Sequence, residues 1–139
     1  DVCSSDLEVM SGRGLHNIYT ALANHASAPV VFTEPAQITD AALNGTCKIA
    51  EATLTQFCRI MGSFAGNLAL NMATTGGIFI GGGIANRFPE FIQNSDFRAR
   101  FEAKGQMKHY VKDIPTYLIA EPDHGLLGAA AYLNQNTAS

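Results

Sequence analysis

Apolar residues recur at helical spacing soon after the start of the chain. From Leu15 to Leu22 they return every three or four residues, which places them on one face of an amphipathic helix. Ser11 or Gly12 directly precedes this pattern and is predicted to cap the helix. A shorter pattern follows, in which Thr39 is predicted to cap a helix over Asp40–Asn44.

The longest helical pattern runs from Thr46 to about Ala73. Its apolar residues cover nearly the whole circumference, and such a helix lies inside a protein. Gly62 and Gly66 are four residues apart on this helix, so they leave a smooth strip where a neighbouring element can approach closely. Asn67 is a polar residue in these apolar surroundings, and its buried amide is expected to bond neighbouring backbone.

Short apolar runs bounded by turn residues mark two strands in the second half of the chain. They are Gly77–Ile80 and Pro115–Ala120, and continuous apolar runs of this length are typical of buried parallel strands. Helical patterns alternate with them over Ile84–Gln93, Phe97–Lys104 and Leu126–Asn134. Alternating strands and helices predict a helix-rich α/β fold with parallel strands flanked by helices.

Two strands are too few for a stable sheet, so the remaining strands are expected to come from elsewhere in a longer chain. The sequence also begins without Met, and residues 1–8 follow no pattern, which indicates an unreliable or artificially joined terminus. We therefore expect a partial domain over 9–135 and a frayed tail over 136–139.

Composition narrows the class of protein. Of the 139 residues, 47% are hydrophobic and 15% are charged, which is enough apolar material for a packed core. A net charge of -3 with scattered Lys and Arg argues against a nucleic-acid partner. The apolar stretches are shorter than the roughly 18 residues of a membrane span, so no membrane partner is expected. The cysteines lack zinc or disulfide spacing and His16 and His25 lack metal spacing, which favours reduced thiols, no bound metal and a cytoplasmic protein.

The strongest candidate for chemistry is the glycine turn Gly81–Gly83 together with Ile84. An apolar strand ends there and a helix opens, and glycine lets backbone N–H groups approach a phosphate or another anion. A tight turn without any ligand explains these glycines equally well. A dinucleotide fingerprint would need glycine at position 86, where Asn86 stands. A Walker A loop would need a lysine beside the turn, and none occurs between Lys48 and Lys104.

Several segments, in order along the chain, carry a more specific signal. Five of them resemble named motifs, given in parentheses: Ser11–Tyr19 (SGxGLxNLY), Phe57–Leu70 (FxxxxGxxxGNLAL), Gly76–Ile84 (GGxFIxGGI), Arg87–Phe88 (RFxxF) and Phe97–Gly105 (FRxxFxxKG). Two further segments, Asp113–Ile119 and Gly125–Gly128, complete the order. These motifs are similar to those of the bacterial hexokinase-type glucokinase family. The resemblance covers roughly Val9–Gln135, in register and nearly without gaps.

The resemblance implies the C-terminal part of the large domain of an actin-like, ribonuclease-H-like kinase. It implies ATP and glucose as substrates of the intact parent, with Mg²⁺ on the phosphates and transfer of a phosphoryl group to the 6-hydroxyl of glucose. In such a reaction an Asp accepts the hydroxyl proton. The family's motifs for that Asp, for its phosphate loop and for its sugar-binding pair (NDF, DxGGT and GEGGH) do not occur in this sequence. We therefore expect no catalytic residue in this chain and no activity from it alone.

The resemblance also assigns candidate binding residues. Those on the nucleotide side are Gly81, Gly82, Gly83, Ile84, Ser11, Gly12 and Gly125. The family places a sugar-contacting Glu four residues before the serine of its first motif. Here Leu7 takes that position, and Glu8 is the register-shifted candidate for a sugar contact.

Some alternatives stay open. A non-catalytic α/β binding or interaction module of the same topology is the rival function. A homodimer also stays open, because the sequence does not decide the oligomeric state. His124, in the turn before Gly125, is interpreted as a solvated histidine.

Overall fold

A computed structural model describes residues 8–121 and 123–137, so most of the unpatterned terminus (1–8) and the end of the predicted tail lie outside the described residues. The α-helices, in chain order, are α1 (Gly12–His25), α2 (Pro35–Leu43), α3 (Lys48–Asn71), α4 (Pro89–Asn94), α5 (Phe97–Glu102), α6 (Lys108–Val111) and α7 (His124–Thr137). The strands are β1 (Ile78–Ile80) and β2 (Thr116–Leu118), and short 3-10 helices form at Ala85–Arg87 and Gly105–Met107.

Helix α1 begins directly after the residue that caps it. The Oγ of Ser11 accepts a hydrogen bond from the Gly14 backbone N–H at 3.2 Å, which confirms Ser11 as the predicted N-cap. Leu15, Tyr19 and Ala23 follow at spacings of four, and all three are buried. This face packs against α2 and α3.

Helix α2 begins at Pro35 instead of Asp40, so the prediction that Thr39 caps it was wrong. Proline fits the first position of a helix because its missing N–H would have no partner there. The side chain of Gln37 completes the start by accepting the Glu34 backbone N–H at 3.1 Å. Thr39 is buried within the helix, where its hydroxyl donates to a backbone carbonyl one turn earlier.

Helix α3 is the centre of the packing and contacts α1, α2 and α5. Gly62 and Gly66 form the strip predicted for close approach. A Cβ at Gly62 would collide with the carbonyl oxygen of Phe97, and a Cβ at Gly66 would collide with that of Phe101. The backbone of α5 therefore lies directly against α3, and the prediction is confirmed. Even so, neither α3 nor any other helix of the described residues is long and apolar enough to cross a membrane.

Arg98 on α5 fixes the segment that leads into β2. Its guanidinium donates to the Glu102 carboxylate at 2.8 Å. It also donates to the carbonyl oxygens of Lys112 at 2.6 Å and Ile114 at 2.7 Å. The same group lies over the Phe101 ring, 4.8 Å from the ring centroid. Hydrogen bonds from a charged donor are stronger than neutral ones, so Arg98 holds the start of β2 close to α5.

Asn67 is exposed, so the prediction of a buried amide bonded to backbone was wrong. Its Oδ1 accepts a hydrogen bond at 2.7 Å from Lys104 Nζ, which also donates to the Ser63 carbonyl oxygen at 2.8 Å. Burial lowers the pKa of Lys104. Asn67 therefore connects α3 to the segment that follows α5.

The segment predicted as one helix over Ile84–Gln93 is divided. A 3-10 helix ends at Arg87, the next residue Phe88 has a φ of -140° and a ψ of 54°, and α4 then starts at Pro89. A proline ring disfavours helical geometry in the residue before it, which accounts for the break. The Phe88 side chain is buried and packs edge-on against Phe57 on α3.

Within the described residues, β1 and β2 form a two-stranded parallel sheet in which Phe79 is opposite Tyr117. This pairing confirms the predicted parallel strands. The prediction that both strands are buried was wrong for one face, since Phe79 is 66% exposed and Tyr117 is 47% exposed. Ile78 and Ile80 point to the other face and pack against the core, because side chains alternate along a strand.

Candidate functional site

A cleft with a volume of about 380 Å³ opens where α3, β1 and the glycine turn meet. The described residues that line it are Met10, Ser11, Phe57, Met61, Phe64, Ala65, Leu68, Ile78, Phe79, Ile80, Gly81, Gly82, Gly83, Ile84 and Ala85. Apart from Ser11, these residues are apolar or glycine, and none of them carries a charge. An apolar cleft with a few backbone polar groups suits a flat, partly apolar ligand.

The structure restricts two of the three glycines in the turn, each for a different reason. At Gly81, a Cβ would lie 3.2 Å from both His124 Nε2 and Ile119 Cδ1, so packing restricts this position. Gly82 has a φ of +128°, which residues with a side chain rarely adopt. Gly83 has neither restriction, because no heavy atom of the described residues lies within 4 Å of the place a Cβ would take. The backbone at Gly83 is therefore open to a ligand.

The start of α1 reaches the same cleft. Ser11 lines it, and its hydroxyl can still donate a hydrogen bond while its oxygen caps the helix. Gly12 is behind the lining: a Cβ there would lie 3.2 Å from Pro35 Cγ and 3.6 Å from Ile84 Cδ1. The structure thus brings together Ser11 and Gly81–Ile84, with Gly12 in support.

Gly125 lies in the first turn of α7 and is not among the described residues that line the cleft. Its neighbour His124 lies near the glycine turn instead, with Nε2 3.2 Å from the place that a Gly81 Cβ would take. His124 is half-buried, and its Nδ1 is exposed where it meets the Glu121 carbonyl oxygen, so its interpretation as a solvated histidine stays a prediction. The sequence carried one signal that His124 lies near the cleft: it follows a parallel strand, and ligand sites of α/β sheets lie at the carboxyl ends of strands.

Glu8 is not part of the described cleft lining. Its carboxylate pairs with the Arg13 guanidinium at 3.1 Å, and both side chains are exposed. Exposed ion pairs contribute little to stability. A sugar contact by Glu8 stays a prediction.

The described residues offer little for metal or covalent chemistry. Residues 8–121 and 123–137 contain no group of three His, Cys, Asp or Glu side chains that could hold a metal ion. Burial raises the pKa of the Cys58 thiol to about 11, against the opposing effect of a hydrogen bond with Ser95. Cys58 is therefore a protonated core thiol and a poor nucleophile.

Comparison with known proteins decides the family. The chain matches the glucokinase family over residues 4–136. It belongs to the glucokinase family. It is 49% identical over 133 residues to the glucokinase of Colwellia psychrerythraea, covering 92% of this chain and 40% of that protein. It is 50% identical over 127 residues to the glucokinases of Pectobacterium atrosepticum and Escherichia coli, covering 91% of this chain and 40% of each.

A crystal structure of a glucokinase from an Antarctic psychrotroph is similar in fold as well. It matches with a TM-score of 0.82 and 40% sequence identity, covering 92% of this chain and 40% of that one. The chain therefore spans about 40% of the length of these glucokinases, and it corresponds to their C-terminal part. The predicted family and fold class are confirmed, while the nucleotide roles of Gly81–Ile84, Ser11, Gly12 and Gly125 stay predictions.

Proposed function

We propose that this chain supplies the nucleotide side of a glucokinase, which phosphorylates glucose with ATP. The observation that carries the proposal is the open backbone of Gly83 in an apolar cleft, in a chain of this family. Backbone N–H groups in a glycine turn suit the phosphates of a nucleotide. The apolar walls suit its base.

The cleft is assigned to ATP and not to glucose because of its lining. A sugar buries many hydroxyl groups, and each loses free energy unless it finds a hydrogen-bond partner. Ser11 supplies the one hydroxyl side chain among the described lining residues. Glucose is accordingly assigned to parts of a glucokinase beyond the length matched here.

The catalytic base and the Mg²⁺ site are assigned in the same way. The described residues lining the cleft include no Asp, Glu or His that could accept the proton of the sugar hydroxyl. Residues 8–121 and 123–137 also hold no carboxylate-rich group suited to a metal ion. In the proposed enzyme Mg²⁺ is bound mainly by the nucleotide phosphates and by residues outside this chain.

The test of the nucleotide role is the affinity of this chain for ADP, measured by calorimetric titration. Gly83→Val should raise the Kd for ADP at least about tenfold, since the side chain would fill the open backbone position. Gly82→Val is a poorer test because the φ of +128° would strain the turn in any case. Gly76→Val is the matched control, because Gly76 also has open space around it but does not line the cleft.

An unchanged Kd in Gly83→Val would contradict the proposed site. The absence of ADP binding by the unaltered chain would favour the rival function, a non-catalytic module of the same fold. A coupled assay of ADP release with glucose and ATP completes the test. We expect no turnover from this chain and clear turnover when it is joined to the remaining length of a glucokinase.

A further inference from the structure

The side chain of His124 connects the two turns that follow the parallel strands. Its Nδ1 lies 2.8 Å from the carbonyl oxygen of Glu121, in the turn after β2. A carbonyl oxygen can only accept a hydrogen bond, so Nδ1 carries a proton and donates it. This bond fixes the imidazole ring relative to the turn that leads into α7.

The opposite edge of the ring faces the turn after β1. Nε2 and Cε1 of His124 lie 3.2 Å and 3.5 Å from the place that a Gly81 Cβ would take. Ile119 Cδ1 lies 3.2 Å from the same point. His124 and Ile119 therefore flank Gly81, and a Cβ there would require one of the two side chains to move by a few tenths of an ångström.

Gly81 is the first residue of the glycine turn, so its position sets the direction of the backbone after it. Gly82 then takes a φ of +128°, and Gly83 opens onto the cleft. A small shift at Gly81 would displace the N–H groups of both following residues. Binding that depends on oriented backbone donors is sensitive to such displacements.

We infer that His124 is a positioning residue for nucleotide binding: held by Glu121, it fixes Gly81 and thereby the turn that receives the phosphates. This inference rests on the proposed function of the turn. His124 is not among the described residues that line the cleft, so it acts through Gly81 and not by touching the nucleotide.

The first experiment measures the Kd for ADP and the Tm of the 139-residue chain with His124→Ala. His109→Ala is a matched control, because His109 Nδ1 makes the same kind of bond to a carbonyl three residues earlier, Gln106, at 2.6 Å. His109 is exposed and is not part of the described cleft lining. We expect His124→Ala to raise the Kd for ADP about fivefold and His109→Ala to leave it unchanged.

A double-mutant cycle tests whether the effect passes through Gly81. In the unaltered chain, Gly81→Ala should raise the Kd for ADP about fivefold, because its Cβ would press on the imidazole. In the His124→Ala background only Ile119 Cδ1 remains at 3.2 Å from that Cβ, so the same substitution should raise the Kd by a smaller factor, about twofold.

Each outcome decides a separate point. If the unaltered chain does not bind ADP, the proposed function fails, and the inference about His124 fails with it. If it binds ADP but His124→Ala lowers only the Tm, His124 is a structural residue and the inference is overturned. Additive effects of Gly81→Ala and His124→Ala on log Kd would likewise overturn it, since they would leave no coupling between the two residues.

Discussion

The helical body of the molecule, formed by α1, α2, α3 and α5, differs sharply in burial from its sheet side, formed by β1, β2 and α7. In the helical body, Leu15, Leu54 and Phe101 are fully buried. On the sheet side, Phe79 is 66% exposed and Leu126 is 74% exposed. Both regions contain large apolar side chains, so the difference in exposure comes from how much neighbouring structure covers each region.

The comparison separates what this chain stabilises by itself from what it presents to a ligand or to further protein. Apolar burial is the main favourable term in folding, and the helical body obtains it from its own helices. The sheet side obtains less, although it carries the glycine turn and the cleft. The proposed nucleotide site therefore lies on the less covered region, and residues of α3 line one wall of its cleft.

The largest expected effect is in the helical body. Gly62→Val should lower the free energy of unfolding by about 3 kcal/mol or more, because the new side chain would meet the Phe97 backbone and force α5 away from α3. Urea unfolding at equilibrium measures this change.

Gly128→Ala in α7 is the matched control for the sheet side. No heavy atom of the described residues lies within 4 Å of the place its Cβ would take, and alanine favours a helix over glycine by up to about 1 kcal/mol. We expect it to be neutral or slightly stabilising. If Gly128→Ala destabilised the chain as much as Gly62→Val, the contrast between the two regions would be wrong.

A smaller, pH-dependent effect should also come from the helical body. Burial raises the pKa of Cys58 to about 11 from 9.0, so the folded chain keeps the thiol protonated while the unfolded chain ionises it. The contribution of the protonated Cys58 thiol to the free energy of unfolding is fully present below pH 9 and is lost as the pH rises toward 11. The difference in unfolding free energy between the unaltered chain and Cys58→Ala should fall by about 2 kcal/mol across this window. A difference that stays constant with pH would show that the thiol is not held in a dry environment.

The smallest effect is expected on the sheet side. Phe79→Ser should change the free energy of unfolding by less than about 1 kcal/mol, since the ring is mostly exposed and its main described aromatic contact is the stacked Tyr117. Truncating a buried phenylalanine typically costs about 3–5 kcal/mol. A loss of that size at Phe79, especially one that grows with protein concentration, would mean that another copy of the chain covers this face.

Local chemistry made much of the helical body predictable. The cap at Ser11 and the close-approach strip at Gly62 and Gly66 depend on a few neighbouring residues, and both are confirmed. Proline was harder to interpret, because it can end a loop or begin a helix. At Pro35 and Pro89 it begins one, which moved the start of α2 and divided the segment after the glycine turn.

The exposure of the sheet and the surroundings of the cleft could not be predicted in the same way. Continuous apolar strands indicate burial on both faces, but the sequence does not say whether the covering elements are present. His124 and Gly81 are close in space although they are distant in sequence, and no local pattern encodes this proximity. The glycine motif located the turn, whereas the restrictions at Gly81 and Gly82 and the open space at Gly83 became visible only in the backbone geometry.

The parallel pairing of β1 with β2 joins two segments that are far apart in the sequence. Ile78 pairs with Thr116, so α4, α5 and α6 lie between the two partners in sequence. During synthesis, β1 leaves the ribosome well before the strand it pairs with, whereas α1, α2 and α3 can already associate with each other. Closing so long a segment also has an entropic cost that helix formation avoids. The pairing of β1 with β2 can therefore form only after the chain has been made through Leu118.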